Sequence, residues 1–347
     1  MREDLRRDAV AQDLLDEVMA AGKLVVSTDP NYAPQSFLND EGELDGFDIN
    51  TAQEVAERLG VEIEFVSPDW DMITGGNWFK VPESIKVVFT GKLQPNVYGK
   101  DLILELIRII GVDGALYQAL EFTGDTIANL SMDDRFSLCN MAIEAGAKNG
   151  IIAVDDVTKE FLADKKLARE PKYHYSDADA KYVRVVEIDV SKLEPVIAYP
   201  SLPSNGKPLS KAVSDKIKVD QVFIGSCTNG RLSDLKMAAE ILKGKRVARH
   251  TRLIVTPATQ KIFKEAEKLG YVDIIIDAGG VISNPTCGAC LGGYMGILGD
   301  GEVAIATTNR NFVGRMGARS SGIYLANSAV AAASAVAGYI ADPASVQ

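Results

Sequence analysis

Three of the four cysteines in this 347-residue chain stand in small, glycine-rich, polar turns: Cys227 in IGSCTNGR, then Cys287 and Cys290 in NPTCGACLGG. Each turn follows an apolar run (QVFIGS, DIIIDAGGVIS), a place where a thiolate is exposed and can be shared with a metal. Structural zinc takes four ligands, usually as two pairs, and no second pair is present; a redox dithiol has no use for a third cysteine. Three thiolates suit a cubane 4Fe-4S cluster in which one iron has no protein ligand. Such an iron can take a substrate hydroxyl and carboxylate as a Lewis acid. A CxxC pair alone is weak evidence, and SCTNGR alone reads as a turn before a helix, with Asn229 and Gly230 as turn formers.

Other polar residues suit the same chemistry. In TTNRNFVGR, Arg310 and Arg315 follow Asn309 closely, and two guanidinium groups near an iron would grip a dicarboxylate or tricarboxylate through paired hydrogen bonds. Without the cysteines they would read as surface ion pairs. Ser226, Thr228 and Asn229 flank Cys227 and can donate hydrogen bonds to sulfur, tuning a cluster. In LCNMAIEAGAK, Asn140 and Glu144 are four residues apart and share a helix face. Cys139 points about a hundred degrees away from Asn140 and reads as an apolar filler. The two histidines, His174 and His250, belong to no motif and read as surface or loop residues.

From Phe79 (FKVPESIKVVFTGKLQPNVYGKDLILELI), through both cysteine turns and GILGDGEVAIATTNRNFVGRMG, to IYLANSAVAAASAVAGYIADP, the text resembles the large subunits of the 3-isopropylmalate dehydratases, members of the aconitase family. The resemblance implies a 4Fe-4S cluster on Cys227, Cys287 and Cys290. It places Ser226, Thr228 and Asn229 beside the cluster, and Asn140, Glu144, Asn309, Arg310 and Arg315 at the active site. The implied reaction is a hydro-lyase isomerisation in leucine biosynthesis, moving a hydroxyl between adjacent carbons through an alkene. The implied partner is a separate small subunit, which supplies the base in a heterodimer or heterotetramer. A homoaconitase-type enzyme acting on a longer tricarboxylate is the neighbouring reading.

Residues 22–78 carry a different text. GKLVVSTDPNYAPQSFLNDEGELDGFDINTAQEVAERLGVEIEFVSPDWDMITGGNW resembles the opening of an extracytoplasmic amino-acid-binding solute receptor. Its pattern predicts a strand over Leu24–Thr28, a glycine-punctuated hairpin, a helix over Asp48–Leu59 and a strand over Val61–Val66. The resemblance gives Asp29, Tyr32, Phe37 and Asp48 a polar amino acid to contact. The second receptor lobe has no counterpart in the chain, so the cleft lacks a wall and weak binding at best is expected. The two texts meet at Gly75–Phe79, and the chain reads as a chimera. In the dehydratases, WFKVPES follows a domain with DHxxPT and GADSHT segments; neither occurs here, so impaired turnover, or an inactive product, is expected.

The surrounding elements read as an α/β protein: aconitase-like three-layer α/β domains, equivalent to family domains 2 and 3, preceded by a partial receptor lobe. The expected divisions are a charged helix over 1–21, the lobe over 22–78, and α/β domains over 79–200 and 201–347, the last carrying the cluster cysteines. QVFIGS, RLIVTP, DIIIDA and VAIATT are short apolar runs of the kind buried in a parallel sheet, with helices Asp234–Leu242 and Gln260–Leu269 between them. The three motif loops would then meet at the carboxyl edge of one sheet. Gly99–Ile110 reads as a helix with Leu102, Leu106, Ile109 and Ile110 inward, and SMDDRFSLCNMAIEAGAK as one helix capped by Ser131. A net charge of -11 argues against a nucleic-acid partner. Ala326–Ala337 is too short for a membrane span and reads as a buried helix. Charged MREDLRRDAVAQDLLDEVMAAGK lacks the apolar core of a secretion signal, which with four cysteines in metal or core contexts points to the cytoplasm.

Overall fold

The computed structural model describes residues 15–28, 31–32, 34–66, 80–167 and 169–346. The chain divides into two compact units, Met1–Val81 and Pro82–Gln347.

In the smaller unit, β1 (Lys23–Ser27) pairs in parallel with β5 (Glu62–Val66), while β2 (Asn31–Tyr32), β3 (Ser36–Leu38) and β4 (Leu44–Asp45) form an antiparallel sheet. Between them runs α1 (Phe47–Leu59), ended by left-handed Gly60, whose amide donates to the Ala56 and Glu57 carbonyls. This helix buries only Ile49 and Ala56, so the unit has a thin core. Residues 15–21 are helical, whereas the rest of the expected 1–21 helix, Asp29, the Tyr32 side chain and the 67–79 junction lie outside the described residues. Phe37 is half-buried and Asp48 exposed.

The larger unit opens with β6 (Ser84–Thr90), α2 (Gly99–Ile110), β7 (Ala119–Thr123), a single turn α3 (Asp125–Ala128), α4 (Met132–Asn140), a 3-10 segment (Met141–Ala145), β8 (Asn149–Ile152), α5 (Asp156–Leu162) and β9 (Arg184–Asp189). Its four strands form a parallel sheet in the order β8-β7-β6-β9. There follow β10 (Val196–Ala198), β11 (Gly206–Pro208), α6 (Leu209–Ser214), β12 (Gln221–Gly225), a single turn α7 (Ser226–Asn229) and α8 (Leu232–Leu242). The chain continues through β13 (Arg252–Thr256), α9 (Gln260–Lys268), α10 (Tyr271–Asp277), β14 (Val281–Ile282), a 3-10 turn (Gly288–Leu291), β15 (Val303–Ala306), β16 (Gly322–Leu325) and α11 (Ser328–Ala337). These strands make a seven-stranded sheet, β11-β10-β16-β15-β12-β13-β14, parallel from β16 to β14. β10 thus joins the second sheet ahead of residue 201.

Alternation of side chains on a strand sends neighbours to opposite faces. Phe223, Ile254, Ala304 and Ala306 enter one core with Leu102, Leu106 and Ile107 of α2 and Val87 and Phe89 of β6. Val222, Ile224, Leu253, Val255 and Ile305 enter a second core with Leu235 and Ala238 of α8 and Val330 and Ala331 of α11. Burial on both faces explains why β12 and β15 read as unbroken apolar runs.

Three expectations are corrected. DIIIDA belongs to helix α10, not to a strand: Val272 and Ile275 are buried three residues apart while Ile276 is exposed, and the strand at that edge is Val281–Ile282. The Ser131-capped helix stops being α-helical at Asn140 and tightens to 3-10 geometry, so Asn140 and Glu144 do not stack as i, i+4 neighbours. On α2, Ile109 faces solvent, and the buried positions include Lys100 and Asp101. Cys139 packs against the first core, and burial pushes its thiol up to about 12. Among the described residues no helix is long and apolar enough to cross a membrane.

Leu106 and Ile109 provide a test within one helix. Leu106→Ala should destabilise this unit by about 2–5 kcal/mol through cavity formation, whereas Ile109→Ala should stay within about 0.5 kcal/mol. Urea unfolding reads both, and equal losses would contradict the assigned faces.

Candidate functional site

β12 delivers Cys227 through a backbone turn that few residues tolerate. Gly225 has φ 124°, and a Cβ there would run into the Thr256 carbonyl oxygen. Ser226 then adopts φ 68°, a left-handed conformation that costs a non-glycine residue energy and is kept only where the surroundings enforce it. The turn leaves Cys227 exposed and Ser226, Thr228 and Asn229 buried. From β14 the chain enters the second cysteine turn, where the Cys290 amide donates to the Cys287 carbonyl at 3.1 Å; Cys287 is exposed and Cys290 buried. β15 ends at Ala306, and Thr307 and Thr308 then lead into Asn309 and Arg310. All three loops therefore leave the carboxyl edge of the same sheet.

Burial pushes the Cys290 thiol up; the Arg315 guanidinium beside it draws it down, and the charges of Cys227 and Cys287 push it up again. Thiols that sense one another in this way share a small region. They do not close around a point: among the described residues no three Cys, His, Asp or Glu side chains could hold one metal ion. Cys290 is buried, whereas Cys227 and Cys287 are exposed. A cluster binds each thiolate at a separate iron and has no need of a common point. Ser226 Oγ, Thr308 Oγ1 and Arg315 Nε, on the same three loops, are buried with no hydrogen-bond partner among the described residues. Three thiols with spare donors around them suit an iron–sulfur cluster.

Facing these loops is the end of α4. Thr228 Oγ1 lies 2.7 Å from Asn140 Oδ1 and 2.6 Å from Asn309 Oδ1, so its one proton serves two amide oxygens, while Asn309 Nδ2 donates to Asn140 Oδ1 at 2.8 Å. Thr228 Oγ1 also stands 3.7 Å from Cys227 Sγ. Asn229 differs from expectation: its Nδ2 turns away from sulfur and donates to Ser137 Oγ and Asp234 Oδ1, both at 3.2 Å. Arg310 Nε reaches both oxygens of Glu144, at 2.9 and 3.0 Å. Burial raises the Glu144 carboxyl above its usual range, and Arg310, Lys100 and Arg315 hold it down in part.

Sequence reasoning passed over the residues beneath the site. Asp101 accepts from the Tyr98 and Val196 amides and from Asn327 Nδ2, and burial pushes it up to about 7. Asp234 accepts from Ser328 Oγ, Asn229 Nδ2 and the Arg231 amide, with burial raising it to about 6. Asn311 donates to the Tyr199 carbonyl at 2.8 Å. The available signal was a Lys-Asp pair on the core-facing side of an apolar helix.

A sheet buried on both faces, with thiol and arginine loops at one edge, defines an aconitase-type protein. The chain belongs to the aconitase family: the sequence model of the Aconitase family (aconitate hydratase) matches residues 69–338. It is similar to the 3-isopropylmalate dehydratase large subunit of a Nitratiruptor species, 80% identical over 274 residues, covering 79% of this chain and 65% of that protein. The protein of the same name from Aliarcobacter butzleri is 77% identical over 280 residues, covering 79% and 66%. The chain thus spans about two thirds of the length of these relatives. Residues 24–76 match the family of bacterial extracellular solute-binding proteins, family 3. Among solved structures, the holo-form of Thermococcus kodakaraensis aconitase X aligns at 16% identity and a TM-score of 0.39, over 66% of this chain and 49% of that one.

The Arg310–Glu144 pair carries a pH signature. Arg310→Met should cost about 2 kcal/mol at pH 7.5, less than the loss of a fully buried pair because Arg310 is 37% exposed. Removing the cation raises the folded-state pKa of Glu144 further. The penalty should be absent at pH values where folded Glu144 is protonated with or without Arg310, and grow as pH rises through its folded-state pKa. Urea unfolding at pH 4 and 7.5 checks this, and adding Glu144→Gln should relieve the loss. A pH-independent penalty would contradict the pairing.

Proposed function

We propose that the larger unit is a hydro-lyase of the 3-isopropylmalate dehydratase type, acting in cytoplasmic leucine biosynthesis with a separate small subunit, and that Cys227, Cys287 and Cys290 hold a 4Fe-4S cluster. The observation that carries this reading is the placement of Cys227, Cys287, Cys290, Arg310 and Arg315 in three loops that leave one edge of the same sheet. High identity to proteins named as dehydratase large subunits supports the substrate and the partner. Residues 24–76 are then a solute-receptor-like segment fused ahead of the aconitase-family region.

When bound, the cluster would supply a Lewis acid to the departing hydroxyl. Arg310 and Arg315 bind the substrate carboxylates as planar donors. Thr228, Asn140 and Asn309 fix one another and so orient the groups around Cys227. A substrate carboxylate that recruits Arg310 takes a counter-cation from Glu144, which then holds a proton more readily and can pass it at the reacting oxygen. Histidine takes no part: His250 Nε2 lies 3.0 Å from the Gly338 carbonyl oxygen at the end of α11, and His174 is exposed.

Anaerobic reconstitution with iron and sulfide should give a brown protein with broad visible absorption. Cys227→Ser, Cys287→Ser or Cys290→Ser should each remove most of it, while Cys139→Ser should leave it intact. Equal loss from Cys139→Ser would sink the ligand assignment. With a small subunit supplied, turnover of 3-isopropylmalate followed by alkene absorbance should be at least about a hundredfold slower than in an intact relative, the scale of one missing acid–base group. Near-normal turnover would show that residues of this chain replace the DHxxPT and GADSHT segments.

A further inference from the structure

Lys100 lies in the first turn of α2, where the helix dipole disfavours a cation, and it is 1% exposed. A buried ammonium survives only with strong partners. Its Nζ donates to the Thr307 carbonyl at 2.8 Å and to the Thr308 carbonyl at 2.6 Å, across more than 200 residues of sequence. These are the two residues before Asn309 and Arg310. The Thr307 hydroxyl in turn accepts from the Gly225 amide at 2.8 Å, two residues before Cys227. One ammonium therefore holds the arginine turn directly and the cysteine turn through Thr307.

We propose that Lys100 is a positioning residue: its ammonium sets the geometry of the Thr307–Arg310 turn and of the Gly225–Cys227 turn, and supplies the positive charge beneath them. The role rests on the cluster reading above only for its charge, and not for the loop geometry. Asp234, Cys290, Glu144 and Asp101 are the acidic groups whose fields it feels, and burial lowers the ammonium to about 8, so it stays largely protonated at neutral pH. Neither carbonyl can recruit a substitute donor from bulk water at a site this deeply buried.

Hydrogen-exchange mass spectrometry on the full chain without iron, comparing wild type with Lys100→Met, tests the geometry. Exchange in residues 305–311 and 223–229 should accelerate by about tenfold or more, the loss expected from charge-assisted hydrogen bonds, with β6 unchanged. Unchanged exchange in these two segments, or a uniform acceleration that includes β6, would overturn the proposal. Should Lys100→Met yield no soluble chain, Lys100→Gln, which keeps a donor and removes the charge, is read by the same criteria. A redox titration of the reconstituted chain supplies a readout that a purely structural lysine would not move. Removal of the cation should make the cluster potential more negative, and an unchanged potential would overturn the proposed charge contribution of Lys100. Failure of the wild-type chain to take up a cluster would instead sink the functional reading, leaving the exchange result to decide Lys100.

Discussion

Everything at the candidate site depends on one constraint: the β12–β13–β15 layer is covered on both faces. A parallel sheet with apolar cores above and below leaves only its edges for polar chemistry. Strand direction then selects the carboxyl edge, and the three loops that begin there carry every candidate ligand together with Arg310 and Arg315. Gly225 adds a local condition. Without a glycine that can pass the Thr256 carbonyl, Ser226 and Cys227 could not leave the sheet at that angle.

The electrostatics follow from the same packing. Two cores close around α2, α8 and α11, and they trap acids and one lysine behind the loops. Asp101 and Asp234 are raised by burial, and each accepts from the N-cap amide of its own helix and from a side chain at the start of α11, so the acids tie α2 and α8 to α11, and Asp101 ties α2 to β10 through the Val196 amide. Their folded pKa values exceed the unfolded ones, so their contribution to stability is greatest at low pH and declines as pH rises through about 4 to 7. Stability is given up there for an ordered polar floor under the site.

Much of this was legible from residue order. QVFIGS, RLIVTP and VAIATT announced buried parallel strands, and the cysteine and arginine motifs directly after strands announced a common edge. DIIIDA misled because a short apolar run has no period of its own, and the helix emerges only once Ile276 is seen in solvent. The Asn140–Glu144 spacing misled for another reason. Gly146 ends the segment in a left-handed cap and the last turn tightens to 3-10, burying Glu144 against Arg310 while Asn140 stays exposed. Lys100 went unread, and Asn229 was read as a donor to sulfur, because their partners, Thr307, Thr308, Ser137 and Asp234, are brought to them by tertiary packing, mostly from remote sequence.

The central claim is that three cysteines of this chain hold a cluster with one iron free of protein ligands. Mössbauer spectroscopy of the chain rebuilt with iron-57, before and after addition of 3-isopropylmalate, addresses it most directly. The account predicts one iron of four whose signal shifts on adding substrate while the other three stay unchanged. Four irons that remain alike and do not respond would contradict it.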